Sequence, residues 1–231
     1  MLFRSGKYMK KRKIIVLMTL VIAILLLRDN HVSAASGVAS ICYSTANLPY
    51  STHMYTDSRN HITKMGYICR GYESGSNITV LECLKESRVF VAVGHGDGGV
   101  IQCNENTYLT GKGAGNSGKY VAINTIPNGS LNNLKIALWY GCNIGTTGGS
   151  WGNIVDVTRE KGAKLAVGWT TTTVIGEMTE WNRLFFEKAK SDTVVESFRH
   201  ADYWIAFLKG ADAKTRMQSR YENGNINQTI Y

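Results

Sequence analysis

Three runs of almost entirely apolar residues limit the folds open to this chain more than any other feature. They cover residues 89–94, 133–142 and 163–169, and a fourth, alternating run covers 38–43. Segments with helical spacing separate or follow them, at 51–66, 76–87, 150–162, 178–190 and 193–208. Strands that are apolar on both sides must be covered on both faces, which is typical of parallel sheets. We therefore predict an α/β fold, a three-layer sandwich whose mostly parallel sheet carries helices on both faces.

Three local features complete the expected architecture. Short β-rich runs surround a glycine-rich loop over residues 99–126, which predicts a hairpin excursion. Ser150 stands where the N-cap of the helix at 150–162 is expected. The polar, Asn-rich tail from about residue 212 is expected to be loosely held.

The distribution of charge argues against a nucleic-acid partner. The chain has 231 residues and a formal net charge of +9, but seven Lys and Arg residues, against the single acid Asp29, lie in its first 34 residues. The positive charge that remains on the rest is too small for a nucleic-acid-binding surface.

This basic head is followed by an apolar run over residues 14–27. The run is shorter than the roughly 20 residues of a membrane-spanning helix, and the small residues at 32–34 (VSA) match a signal-peptide cleavage site. We predict a signal peptide over 1–34, cleaved after Ala34, and a secreted domain over 35–231. The alternative is an uncleaved anchor, through which residues 14–27 would hold the domain outside a membrane. Membrane contact is expected only in that case.

Five cysteines follow the predicted signal peptide. An exported protein can keep disulfides, but the number is odd, and the sequence does not choose among pairings of Cys42, Cys69, Cys83 and Cys103. The histidines lack the His-Glu-x-x-His spacing of a zinc site. Neither a metal nor another cofactor is predicted.

Residues 113–120 (GAGNSGKY) match a phosphate-binding loop as far as Lys119. Tyr120 replaces the Ser or Thr that would hold magnesium, and no apolar strand precedes the segment. A flexible loop is the better interpretation.

Residues 148–152 (GGSWG) match the Gly-x-Ser-x-Gly pattern, and Asp192 and His200 follow in the chain order of an α/β-hydrolase. The serine of such enzymes comes directly off a buried strand, whereas Ser150 follows a loop. A serine hydrolase that uses Ser150 is therefore retained only as a second alternative.

His95 and Cys142 each follow the carboxyl end of a predicted strand, which is where parallel sheets bind ligands. A thiolate can attack a carbonyl carbon when a proton acceptor lies nearby. The adjacent glycines, Gly94, Gly96 and Gly141, allow close backbone approach and leave N–H groups free to face an oxyanion. Together these features favour a Cys-His pair over two unrelated structural residues.

The segments VFVAVGHG and IALWYGC resemble the two signature blocks of the caspase-like (clan CD) cysteine peptidases, nearest to the CHAT, clostripain and legumain-type members. His95 precedes Cys142 by 47 positions, close to the spacing of about 50 in caspases. The resemblance implies a caspase–haemoglobinase-like fold and a cysteine endopeptidase acting on a peptide or protein substrate. It also implies that Cys142 is the nucleophile, that His95 is the general acid and base, and that the backbone N–H groups of Gly96 and Cys142 hold the oxyanion.

Ile144 departs from the family pattern, because a hydroxyl residue usually stands two positions after the cysteine. This leaves open a catalytically inactive binding or signalling module on the same fold. The strand edge at Trp169, Thr170 and Thr171 is predicted to pair with the backbone of an extended peptide. No feature of the sequence predicts which residue precedes the cleaved bond.

Overall fold

The computed structural model describes residues 36–113, 118–146 and 149–231. The predicted signal peptide and the apolar run at 14–27 lie outside these residues. Within the described ranges, no helix has the length and hydropathy needed to cross a bilayer.

Ten strands and six α-helices make up the described fold. The strands are β1 Val38–Tyr43, β2 Ile68–Glu73, β3 Val89–Val93, β4 Gly96–Asp97, β5 Val100–Gln102, β6 Tyr108–Thr110, β7 Tyr120–Ala122, β8 Ile136–Tyr140, β9 Leu165–Trp169 and β10 Arg220–Gly224. The helices are α1 Ser51–Lys64, α2 Asn77–Glu86, α3 Ile154–Glu160, α4 Ile175–Ala189, α5 Val194–Lys209 and α6 Ala211–Gln218.

A six-stranded sheet lies at the centre, in the order β10-β9-β8-β3-β1-β2. All adjacent pairs run parallel except β10 and β9. The segment predicted as a hairpin excursion contributes to a separate four-stranded sheet, β4-β5-β6-β7, whose first three strands are antiparallel.

Two apolar layers enclose the central sheet. Side chains alternate along β3, so that Val91 packs with α1, α4, α5 and α6, while Phe90 faces the opposite layer with α2 and α3. Every residue of β3, β8 and β9 is buried. This arrangement confirms the predicted three-layer α/β sandwich.

The helix expected from residue 150 begins later than predicted. Its N-cap is Asn153, whose side-chain oxygen accepts hydrogen bonds from Val155 N (2.8 Å) and Asp156 N (3.4 Å). The Asn153 amide also donates to the Gly145 carbonyl at 2.9 Å. Ser150 is therefore an exposed turn residue, and its predicted capping role is wrong.

The tail expected to be loosely held is part of the core structure. It supplies β10, and the Arg220 guanidinium in that strand pairs with the Asp202 carboxylate at 2.9 Å. Further along, Ile230 is fully buried and its carbonyl accepts a hydrogen bond from the Tyr67 hydroxyl. The expectation is wrong because these partners are distant in sequence.

Candidate active site

The register of β3 and β8 brings His95 and Cys142 to the same place. Val93 lies opposite Tyr140, and Gly94 N donates to the Tyr140 carbonyl at 3.0 Å. His95 and Cys142 each follow two residues after that pair, on neighbouring parallel strands. Both line one half-open cavity of about 230 Å³ at the carboxyl edge of the sheet.

Glycines allow the two loops to touch through their backbones. A Cβ added at Gly96 would lie 2.7 Å from the Cys142 carbonyl oxygen and 3.0 Å from the Cys142 nitrogen. A Cβ added at Gly141 would lie 3.1 Å from the Gly94 carbonyl oxygen. The contact at Gly96 is closer than real Cβ atoms approach and the one at Gly141 is tight, so side chains at these positions would push the loops apart.

The backbone N–H of Cys142 is available to a ligand. It makes no hydrogen bond with any residue that the structure describes. A Cβ added at Gly96 would lie 3.0 Å from this nitrogen, so the two backbone segments predicted to hold an oxyanion are adjacent.

The sulfur of Cys142 contacts a residue whose role the sequence did not reveal. Thr173 N donates to Cys142 Sγ at 3.4 Å, and the Thr173 carbonyl oxygen lies 3.7 Å from the same sulfur. The loop is held in this position by Asn143 N, which donates to the Thr171 carbonyl (3.1 Å), and by Gly145 N, which donates to the Trp169 carbonyl (2.8 Å). Thr173 is the last of four consecutive threonines, and nothing in the sequence distinguishes it as a contact of the cysteine.

Asn143 turns the chain sharply after the cysteine. Its φ of 54° lies in the left-handed region, which Asn tolerates better than most non-glycine residues. Its carbonyl accepts hydrogen bonds from Thr146 N (3.1 Å) and Thr146 Oγ1 (2.7 Å). This turn leaves the Cys142 side chain partly exposed at the cavity.

Ile144, the departure from the family pattern, points away from this cavity. It is fully buried in the layer that contains α2 and α3, and its Cγ2 would lie 2.8 Å from a Cβ added at Gly168. A hydroxyl at this position would be buried too, so the substitution removes nothing from the cavity.

The structure alters the predicted peptide-pairing edge. Trp169 is fully buried between β8 and β10, and its indole N–H donates to the Met217 carbonyl at 3.1 Å. Thr170 N and Oγ1 both donate to the Ser219 carbonyl at 2.8 Å. Trp169 is therefore a core residue rather than a peptide contact, because β10 covers the edge that the sequence left open.

Thr171 and Thr172 remain near the cleft. The Thr171 carbonyl accepts the bond from Asn143 already described. Thr172 is exposed, and its N–H and carbonyl make no hydrogen bond with any part of the chain that the structure describes. The free backbone edge thus lies one residue beyond the predicted one.

The structure does not bring Ser150 together with Asp192 and His200, the other residues of the serine-hydrolase alternative. Asp192 pairs with Lys188 at 3.0 Å, and the His200 ring lies 6.4 Å from the Trp204 ring. Ser150 instead lines a separate cavity with Asp97. No contact within the described ranges joins Ser150 to Asp192 or His200. The phosphate-loop-like segment 113–120 falls partly outside those ranges.

The other cysteines are free thiols in different surroundings. Burial raises the pKa of Cys69 to about 11 and the pKa of Cys103 to about 12. Cys42 and Cys83 are buried in the core. Among the described residues, no group of three or more His, Cys, Asp or Glu side chains could hold a metal ion.

A larger cavity of about 560 Å³ lies nearby and is lined by polar residues, among them Asn47, Ser74 and Glu105. Its lining contains neither a cysteine nor a histidine. The smaller cavity, which holds Cys142 and His95, is therefore the better candidate for chemistry.

Comparison with solved structures identifies the fold. The Arg specific cysteine proteinase gingipain R (RgpB) aligns with 83% of this chain at a TM-score of 0.62 and 10% sequence identity. A complex of the pro- and mature domains of Porphyromonas gingivalis RgpB gives a TM-score of 0.57 over the same share, at 9% identity. The Saccharomyces cerevisiae separase–securin complex also matches 83% of the chain, with a TM-score of 0.54 and 14% identity.

The chain has the caspase-like fold. This confirms the resemblance found in the sequence at the level of fold. The alignment covers 47% of the gingipain chain and 12% of the separase chain, so this chain spans less than half the length of either. No model of a protein family matches the sequence, and no curated protein matches it significantly.

Proposed function

We propose that this caspase-like domain is a cysteine endopeptidase in which Cys142 is the nucleophile and His95 is the general acid and base. One observation carries the proposal: both side chains line a single cavity, on two loops whose backbones are in contact. The fold it shares with known cysteine proteinases adds support.

The first half of the reaction forms an acyl-enzyme. Cys142 Sγ, as the thiolate, attacks the carbonyl carbon of the scissile peptide bond, and an S–C bond forms while negative charge develops on the carbonyl oxygen. The N–H groups of Gly96 and Cys142 donate to this oxygen, and loss of one such donor in other enzymes costs about 3 kcal/mol. The His95 imidazolium then protonates the leaving nitrogen, the C–N bond breaks, and the amine departs.

The second half releases the acid product. His95, now neutral, accepts a proton from a water molecule as that water attacks the thioester carbonyl carbon. The S–C bond breaks, the carboxylic acid leaves, and Cys142 returns to the thiolate. His95 is exposed at the rim of the cavity, which suits contact with water.

The substrate would bind as an extended strand. The unpaired N–H and carbonyl of exposed Thr172 suit backbone pairing of the type seen when a peptide adds to a sheet edge. The side chain of the neighbouring residue, Thr171, would also contact the bound peptide. A Thr172→Pro substitution should raise KM, because proline lacks the N–H that would donate to the peptide.

We also propose that the domain is secreted after removal of residues 1–34. The basic head, the apolar run and the small residues at 32–34 support this. N-terminal sequencing of protein from the culture medium should begin at Ala35. An intact Met1 on membrane-bound protein would favour the anchored form instead.

The peptidase function is tested by Cys142→Ala. This variant should lose peptide hydrolysis entirely, because no other described thiol lines the cavity. Cys69→Ala is the matched control, since Cys69 is a partly exposed thiol away from the cavity and its removal should leave the rate unchanged. Hydrolysis that persists in Cys142→Ala would refute the assignment, and an inert Cys142 in the wild type would favour the binding module.

A further inference from the structure

Apart from Cys142 and His95, the pocket that contains them is lined mostly by apolar side chains. Its remaining side-chain walls are Leu48, Val93, Tyr140, Ile175 and Met178, together with Thr173. These residues come from the loop after β1, the ends of β3 and β8, and the first turn of α4. No Asp, Glu, Lys or Arg occurs among the described residues that line it.

The floor of this pocket belongs to the main core and is therefore rigid. Val93 and Met178 are 2% and 3% exposed, and Tyr140 is fully buried with its ring stacked on Trp169 at 4.6 Å. Burial raises the pKa of Tyr140 well above its usual value, so the phenol stays neutral. Leu48 and Ile175 are only partly buried and form the rim.

The size of the pocket suits one side chain. An apolar protein cavity of about 150 Å³ accommodates a benzene molecule. The cavity here, of about 230 Å³, has room for a side chain of that size beside the carbonyl group that Cys142 attacks.

The walls disfavour a charged side chain. A buried charge is tolerated when it is paired and hydrogen-bonded, and otherwise its desolvation is strongly unfavourable. Apart from His95 and Cys142, which the reaction itself uses, the described lining holds no side chain that could pair with a buried charge.

We propose that this pocket receives the side chain of the residue that precedes the scissile bond, and that the domain cleaves after uncharged apolar residues such as Leu, Met and Phe. This inference rests on the proposed peptidase function. That residue keeps its carbonyl carbon bonded to Cys142 Sγ through the acyl-enzyme, next to the buried floor. The leaving amine departs past exposed His95 towards solvent. The expected preference differs from the Arg specificity named for gingipain R.

A panel of fluorogenic peptides that differ only at this residue tests the preference. We expect kcat/KM for Leu, Met or Phe to exceed that for Arg, Lys, Asp or Glu by at least about 100-fold. Labelling rates of Cys142 with the matching peptidyl electrophiles provide the same comparison without turnover. Equal rates across the panel, or Cys142-dependent cleavage after charged residues, would overturn the inference and leave the peptidase in place. Failure of every peptide and every electrophile would overturn the proposed function itself.

Leu48→Asp tests the role of the rim. The introduced carboxylate should raise the ratio of kcat/KM for Arg over Leu substrates by at least about tenfold. Leu48→Asn is the matched control, because it has the same shape without the charge and should not favour Arg. Leu48 is partly exposed in a loop, so both variants are expected to fold, and thermal unfolding checks this. An unchanged ratio in a folded Leu48→Asp variant would show that Leu48 does not contact the substrate side chain in this pocket.

Discussion

At the scale of single residues, the candidate site depends on glycines as much as on its reactive side chains. Gly96 follows His95 and is the first residue of the small sheet, and a Cβ added to it would lie against the Cys142 backbone. Because the nearest atoms are backbone, they cannot move aside as the end of a flexible side chain could. The approach of the two loops is therefore sensitive to a single methyl group.

Gly96→Ala should reduce kcat/KM by at least about tenfold. The added Cβ would force the His95 loop away from Cys142, and small misplacements of reacting groups cost large factors in rate. Gly176→Ala is the control, since a Cβ there meets nothing within 4 Å. Equal activity in the two variants would show that the contact between the loops does not matter.

Residue identity alone predicted the reactive pair but not the pocket around it. His95 and Cys142 are recognisable because each follows a strand whose apolar run is visible in the sequence. Leu48, Ile175 and Met178 come from segments far apart along the chain, and each reads as an ordinary apolar residue. Only the fold shows that they share one cavity.

At the scale of elements, the buried strands were predictable from the sequence, but the start of α3 and the edge strand β10 were not. β3, β8 and β9 are apolar throughout because both of their faces are covered. The start of α3 depends on Asn153, whose amide binds the Gly145 carbonyl, and β10 depends on an ion pair with α5. Contacts made by single polar side chains leave no periodic pattern in the sequence.

Removal of the Arg220 side chain tests how strongly β10 is held. Its guanidinium pairs with Asp202, both side chains are only about a tenth exposed (11% and 10%), and it also lies 4.4 Å from the centre of the Phe198 ring. Arg220→Ala would leave a buried carboxylate without this partner, so we expect the free energy of unfolding in urea to fall by about 3 kcal/mol.

Arg199→Ala provides the control for that experiment. Arg199 pairs with Glu196 at the surface, where the two side chains are 70% and 47% exposed. Surface pairs of this kind contribute at most about 1 kcal/mol. If Arg220→Ala were no more destabilising than Arg199→Ala, β10 would be a peripheral strand rather than part of the core.

At the scale of the whole molecule, the order of strands explains the position of the site. β3 and β8 are separated in sequence by the entire small sheet, yet they are neighbours in the central sheet. Their parallel register brings the loops that follow them to one edge. Sequence reasoning predicted a parallel sheet, but the adjacency of these two strands came only from the structure and from the resemblance to a known fold.

In the proposed reaction, His95 and Cys142 act on the same bound carbonyl group, and a p-nitrophenyl ester of an apolar acyl peptide separates their roles. Its leaving group needs no proton, so His95→Ala should still form the acyl-enzyme but should hydrolyse it slowly, because no base activates the water. We predict a burst of about one p-nitrophenol per enzyme, followed by a slow phase, with the acyl mass located on Cys142. Absence of a burst, an acyl group on another residue, or turnover of His95→Ala at the wild-type rate would show that the two residues do not act together on one carbonyl group.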